Sequence, residues 1–101
     1  MKYPKLVFDV SFDERARFEA KSRGYLSNVY VQQSDGSMYP VVFYDCIRLA
    51  QDLEYEVSTG RMCVADIGMI ILPEVTLECI KIAVKKLIDE GYFKRVVPRG
   101  D

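Results

Sequence analysis

The chain has 101 residues, half of them hydrophobic and 29% charged, which fits one small globular domain and leaves no material for a second core. Fourteen basic residues against fifteen acidic ones give a net charge of −1 and a pI near 5.5, so no strong positive field draws in a phosphate backbone and nucleic acid is not the expected partner. No apolar run approaches the roughly 18 residues of a membrane span, and Met1 to Lys5 leads straight into an alternating segment without a leader-like apolar stretch, so a cytoplasmic location and no membrane are expected.

Leu6, Phe8, Val10 and Phe12 alternate with charged or polar neighbours, broken only by Val7, and predict a strand from Lys5 to Phe12 with one buried face. Arg15, Arg17, Glu19, Lys21 and Arg23 then take every second place, with Ala16, Phe18, Ala20 and Ser22 between them. Two readings compete. Ser11 and Glu14 have capping-box spacing, Gly24 stands as a stop, and the composition favours helix, but a helix sets Phe18 on the side opposite Phe12, Ala16 and Ala20. A strand puts every charge on one face, and strand is the expectation.

Leu26 to Gln33 and Met38 to Tyr44 flank Asp35-Gly36, a hairpin signal because both residues tolerate positive φ. A two-residue turn sets Val31 against Pro40 and Val29 against Val42, leaving Gln32 with Tyr39, Tyr30 with Val41 and Asn28 with Phe43 on an aromatic face. Pro40 lacks an N–H, which places its strand at an edge or turns that position outward.

Asp45 is placed to cap a helix whose Cys46, Leu49, Ala50, Leu53 and Val57 fall within roughly 100° of arc, and Ser58-Thr59-Gly60 ends it. From Arg61 to Leu72 two short strands are expected around a turn at Asp66-Ile67-Gly68. A last helix, from about Glu74 to Glu90, carries Thr76, Leu77, Ile80, Ala83, Val84, Leu87 and Ile88 on a broad face that must meet the sheet. Tyr92, Phe93, Val96 and Val97 beyond Gly91 could add a final strand. The expected architecture is α+β: an antiparallel sheet, an N-terminal meander plus a short hairpin, packed against two α-helices.

The chain contains no histidine, which removes the usual triads and the ordinary general base, and neither a P-loop nor a dinucleotide fingerprint occurs. Cys46, Cys63 and Cys79 are odd in number and far apart, and read as small buried apolar residues; no metal site or cofactor is expected. Asp52 and Glu56 lie one helical turn apart and read as a solvated face, and Asp66 reads as a turn former. An enzyme would need Asp52, Glu56, Asp66 or Cys63 gathered in one cleft, and the expectation is a protein that is not an enzyme.

Three features bear on binding. Arg15, Arg17, Lys21 and Arg23 form a row of cations for an anion if the segment is a strand. Tyr30, Tyr39, Val41 and Phe43 are either a second layer of core or a contact patch. Val75, Cys79 and Ile82 form a narrow apolar seam outside the main arc of the last helix, covered either by the tail or by a second molecule. The expected protein is a small non-catalytic interaction or adaptor domain working as a homodimer, with a possible protein partner; the alternative is a small-molecule or anion-binding module built on the aromatic hairpin face and the basic strand.

Overall fold

The computed structural model describes residues 5–8 and 11–94. In chain order they form β1 (Lys5–Phe8), α1 (Glu14–Arg23), β2 (Tyr25–Gln32), β3 (Met38–Tyr44), α2 (Cys46–Ser58), β4 (Met69–Ile71) and α3 (Leu77–Asp89), followed by a 3₁₀ turn (Tyr92–Lys94). The four strands lie in the order β1-β2-β3-β4, with β1, β2 and β3 antiparallel and β4 parallel to β3. The architecture is α+β, but the sheet is mixed rather than antiparallel, and three helices accompany it rather than two. Asp9 and Val10 of the expected first strand, and Val96 and Val97 of the expected last one, lie outside the described residues.

Helix α1 replaces the expected strand because local interactions outweigh the two-residue alternation of charge. The Asp13 carboxylate accepts the Ala16 N–H at 2.9 Å, and Gly24, at φ 67°, closes the helix by donating its N–H to the Ala20 carbonyl. Glu19 stands between Arg15 and Arg23 at i,i+4 spacing on both sides. The cost is the one that helical geometry demands: Ala20 is buried while Phe18 is 73% exposed.

The hairpin stands where Asp35-Gly36 placed it, one residue out of the expected register. Its loop has three residues, Ser34 to Gly36; the Gln33 N–H donates to the Ser37 carbonyl, Ser37 N–H to the Asp35 carboxylate, and Gly36 takes φ 91°. Val31 therefore faces Tyr39, Val29 faces Val41 and Tyr30 faces Pro40. A slip of one residue reverses faces. Tyr39, Val41 and Phe43 join Val29 and Val31 in the core, and Tyr30 points the other way. A bulge near Asn28, itself at φ 62°, brings Leu26 opposite Phe43 and back onto the core side.

Pro40 sits in a central strand, and of the two alternatives for its missing N–H it is the second that holds. The Val42 N–H points at β4 and donates to the Gly68 carbonyl at 3.0 Å, so position 40, two residues earlier, points to the same side where β4 has not begun. Only one strand forms between Arg61 and Leu72. It runs parallel to β3 because α2 and its following loop carry the chain back to the starting end, a crossover connection.

The core lies on one face of the sheet, under α3 and the 3₁₀ turn. Ile80 and Val84 of α3 meet Val29, Val31, Val41, Phe43, Ile70 and Leu72, while Phe93 closes the cluster against Tyr39 with ring centres 5.3 Å apart. Thr76 caps α3 by accepting the Cys79 N–H. Val7, Tyr30, Pro40, Val42 and Met69, on the opposite face of the sheet, are half-buried and lie outside that cluster. No described helix is long and apolar enough to cross a membrane.

Candidate functional site

Helix α2 decides the surface chemistry, beginning with its first turn. The Asp45 carboxylate accepts the Arg48 N–H at 2.7 Å, and the Asp45 N–H donates to the Gly24 carbonyl, so the helix start is tied to the end of α1. Arg48 then makes three contacts at once: its Nε donates to both oxygens of Asp52 at 3.0 and 3.2 Å, its Nη1 donates to the Arg23 carbonyl, and its guanidinium lies 4.8 Å from the centre of the Tyr25 ring. Two turns later Glu56 pairs with Arg61.

These polar anchors set the helix's rotation. Arg48, Leu49, Asp52 and Glu56 are the half-buried residues of α2, so three of its four inward positions are charged. Cys46, Ile47, Ala50, Leu53 and Val57 form the opposite face and are all exposed, Ile47 to 72%, Leu53 to 42% and Val57 to 46%. A crossover helix between parallel strands ordinarily lays its apolar stripe on the sheet. Here the stripe faces water.

Behind the helix, its polar side and the segment 61–66 enclose a cleft of about 650 Å³, lined by Tyr44, Asp52, Tyr55, Glu56, Arg61, Cys63, Val64, Ala65 and Asp66. The structure thus gathers Asp52, Glu56, Asp66 and Cys63, the groups an enzyme reading requires in one place; Cys63, like Cys46, is exposed rather than buried as expected, because neither lies on an element face that meets the core. Each carboxylate has a donor already: Arg48 for Asp52, Arg61 for Glu56 and the Tyr44 hydroxyl, at 2.9 Å, for Asp66. Among the described residues no cluster of histidine, cysteine and carboxylate groups could hold a metal ion.

Tyr44 is the buried element of this cleft, 4% exposed and edge-on to Tyr25. Burial, reinforced by the neighbouring Asp66 carboxylate, raises its phenol well above the ordinary tyrosine range. The unfolded chain releases this proton near pH 10 while the folded chain keeps it, so above about pH 10 the unfolded state binds fewer protons and stability falls as pH rises. Tyr44→Phe should cost about 1 kcal/mol at neutral pH and flatten the alkaline decline relative to wild type, read from urea midpoints between about pH 8 and 11. Parallel curves for the two proteins would show that Tyr44 ionises alike in both states.

The other expected binding residues disperse. Tyr39, Val41 and Phe43 are core residues, and Tyr30 is half-buried on the opposite face. On a helix the four cations no longer form a row: Arg15 and Arg23 contact Glu19, Lys21 contacts Glu74 at 3.6 Å, and Arg17 donates to the Phe12 carbonyl and stands beside its ring. The seam divides as well. Val75 precedes α3 and is buried, Cys79 is half-buried against the core, and Ile82 is 65% exposed, near Ile71 of the sheet edge in a shallow groove.

The chain matches no protein-family model, no curated protein and no solved structure. What the protein does must therefore be read from its own surface. The stripe on α2 is visible in the sequence as a stripe; what periodicity does not carry is the direction it faces, and the only local sign is the Arg48–Asp52 pair on the opposite side.

Proposed function

We propose that this protein is a small non-catalytic interaction domain that works as a homo-oligomer. The observation that supports it most is the rotation of α2, which leaves Cys46, Ile47, Ala50, Leu53 and Val57 exposed while Arg48, Asp52 and Glu56, with Leu49, occupy its inner side. Ordinary surfaces scatter single apolar residues; five on one helical face make a contiguous patch. Leu53 and Val57 are already more than half shielded, so burying what remains of them in a contact would contribute roughly 1 kcal/mol each, gross, and burying Ile47 roughly 1.5 to 2 kcal/mol.

The reading as a ligand-binding module has less to recommend it. Its aromatic face has become core, and its four cations each have a contact within the chain. The reading as an enzyme would have to free carboxylates that Arg48, Arg61 and Tyr44 already engage.

Light scattering over a concentration series tests the proposal. The mass should rise from 11.6 kDa toward twice that value, and Leu53→Asp should weaken association at least tenfold while leaving the far-ultraviolet circular dichroism unchanged. A wild-type mass fixed at 11.6 kDa at the highest attainable concentration would overturn it.

A further inference from the structure

We propose that the outer edge of β4, with the groove between it and α3, binds an extended segment of a partner polypeptide, which adds to the sheet beside Ile71. The site is separate from the α2 stripe and does not depend on self-association.

Hydrogen bonding fixes which way the edge looks. The Val42 N–H donates to the Gly68 carbonyl and the Leu72 N–H to the Tyr44 carbonyl, so residues 68, 70 and 72 turn their backbone groups toward β3. Successive residues of a strand alternate, and Met69 and Ile71 therefore turn theirs outward, where no described strand lies. The Met69 N–H donates back to the Asp66 carbonyl at 3.3 Å, and Pro73 has no N–H to offer. Ile71 is left as the residue that presents both a donor and an acceptor.

These groups open onto a hollow rather than a flat surface. The four residues from Ile70 to Pro73 form one wall of a groove of about 370 Å³, and α3 forms the other with Cys79, Ile82 and Leu87. Ile71 is 41% exposed and Ile82 65%, so large aliphatic side chains stand in water beside the open backbone.

That combination selects the ligand. An acyl chain or the side of a helix would cover the Ile71 N–H and C=O without replacing the water they lose, at the desolvation penalty of each group. An extended chain replaces it, because one residue set opposite Ile71 exchanges both hydrogen bonds. That residue turns its side chain to the Ile71 side of the sheet, and its two neighbours reach into the groove against Ile82 and Leu87. Lys86 is the one charged residue lining the groove, so the segment that fits is apolar at alternate positions and carries a carboxylate. β4 has only three residues, and the contact is accordingly small and in fast exchange.

The test follows hydrogen exchange of the Ile71 amide by NMR in the isotope-labelled full chain. The probes are pools of acetylated hexapeptides with valine, isoleucine, leucine or phenylalanine at alternate places, threonine between them and glutamate at one end. At least one pool, at up to about 1 mM, should slow the Ile71 amide at least tenfold. A single N-methyl group moved along the tightest binder should abolish binding at every second place, and Ile82→Asp, at an exposed position, should weaken binding at least tenfold while the thermal transition stays cooperative.

No slowing by any pool overturns the inference. So does binding that is indifferent to the place of the N-methyl group, which is apolar adhesion without strand addition, or binding that Ile82→Asp leaves unchanged, which lies outside the groove. An Ile71 amide already slow in the free protein overturns it as well, since a second copy or the chain's own ends then hold the edge.

Discussion

Gly68→Ala should destabilise the fold by roughly 3 to 5 kcal/mol, a large share of the ~5 to 15 kcal/mol available to a small domain. Two costs coincide at this residue. Gly68 takes φ 73°, a left-handed conformation that disfavours any Cβ by about 1 to 2 kcal/mol. A Cβ there would also run into the carbonyl oxygen of Pro40 and come within 3.1 Å of the Val41 Cα, both backbone atoms of a central strand that cannot swing aside.

Relief by movement would carry a further loss. The Gly68 carbonyl accepts the Val42 N–H at 3.0 Å, so shifting the turn pulls the start of β4 away from β3. Gly60 supplies the control, because it has φ 88° but nothing within 4 Å of the position that a methyl group would take. Gly60→Ala should cost only the backbone part, about 1 kcal/mol. Urea denaturation of both variants measures the difference. Equal losses would mean that the close approach of Gly68 to Pro40 is not what holds β4 in place.

What could be read without coordinates divides by the range of the forces involved. Helix α3 was legible because its apolar arc and its core agree, although it begins at Leu77 behind a Thr76 cap rather than near Glu74. The hairpin was legible in place but not in register, because Asp35-Gly36 serves a two-residue and a three-residue loop alike, and only the Gln33–Ser37 bond selects the second. In α1, alternation and capping conflicted, and the Asp13 and Gly24 caps prevailed. The parallel direction of β4 depends on where a crossover lands, which no local pattern encodes.

The candidate site was legible in the same uneven way. Periodicity groups Cys46, Leu49, Ala50, Leu53 and Val57 of α2 on one face but does not say which way it turns: Leu49 is half-buried, and the other four, joined by Ile47, are exposed. Asp52 and Glu56 were visible as neighbours on one helix. Their meeting with Asp66 and Cys63 was not, because it depends on the loop after α2 folding back and on Tyr44 reaching Asp66 across 22 residues.

Helices α2 and α3 are both 13 residues long and similarly amphipathic, yet the same kind of substitution should act on them in opposite ways. Ile80 is fully buried among the sheet residues, and Ile80→Asp removes its packing, roughly 2 to 5 kcal/mol, and strands a carboxyl group in an apolar site at a further cost of a few kcal/mol. The sum rivals the whole stability of the domain, so the variant should be unfolded at 25 °C, with lost near-ultraviolet dichroism and no cooperative thermal transition. Leu53→Asp, on the exposed stripe, should change the stability of the isolated chain by less than about 1 kcal/mol when measured at concentrations below association. Its effect should appear only as lost self-association. If Leu53→Asp instead unfolds the dilute chain as Ile80→Asp does, the stripe is packed within its own molecule, α2 does not turn its apolar side to water, and the homo-oligomer loses its main support.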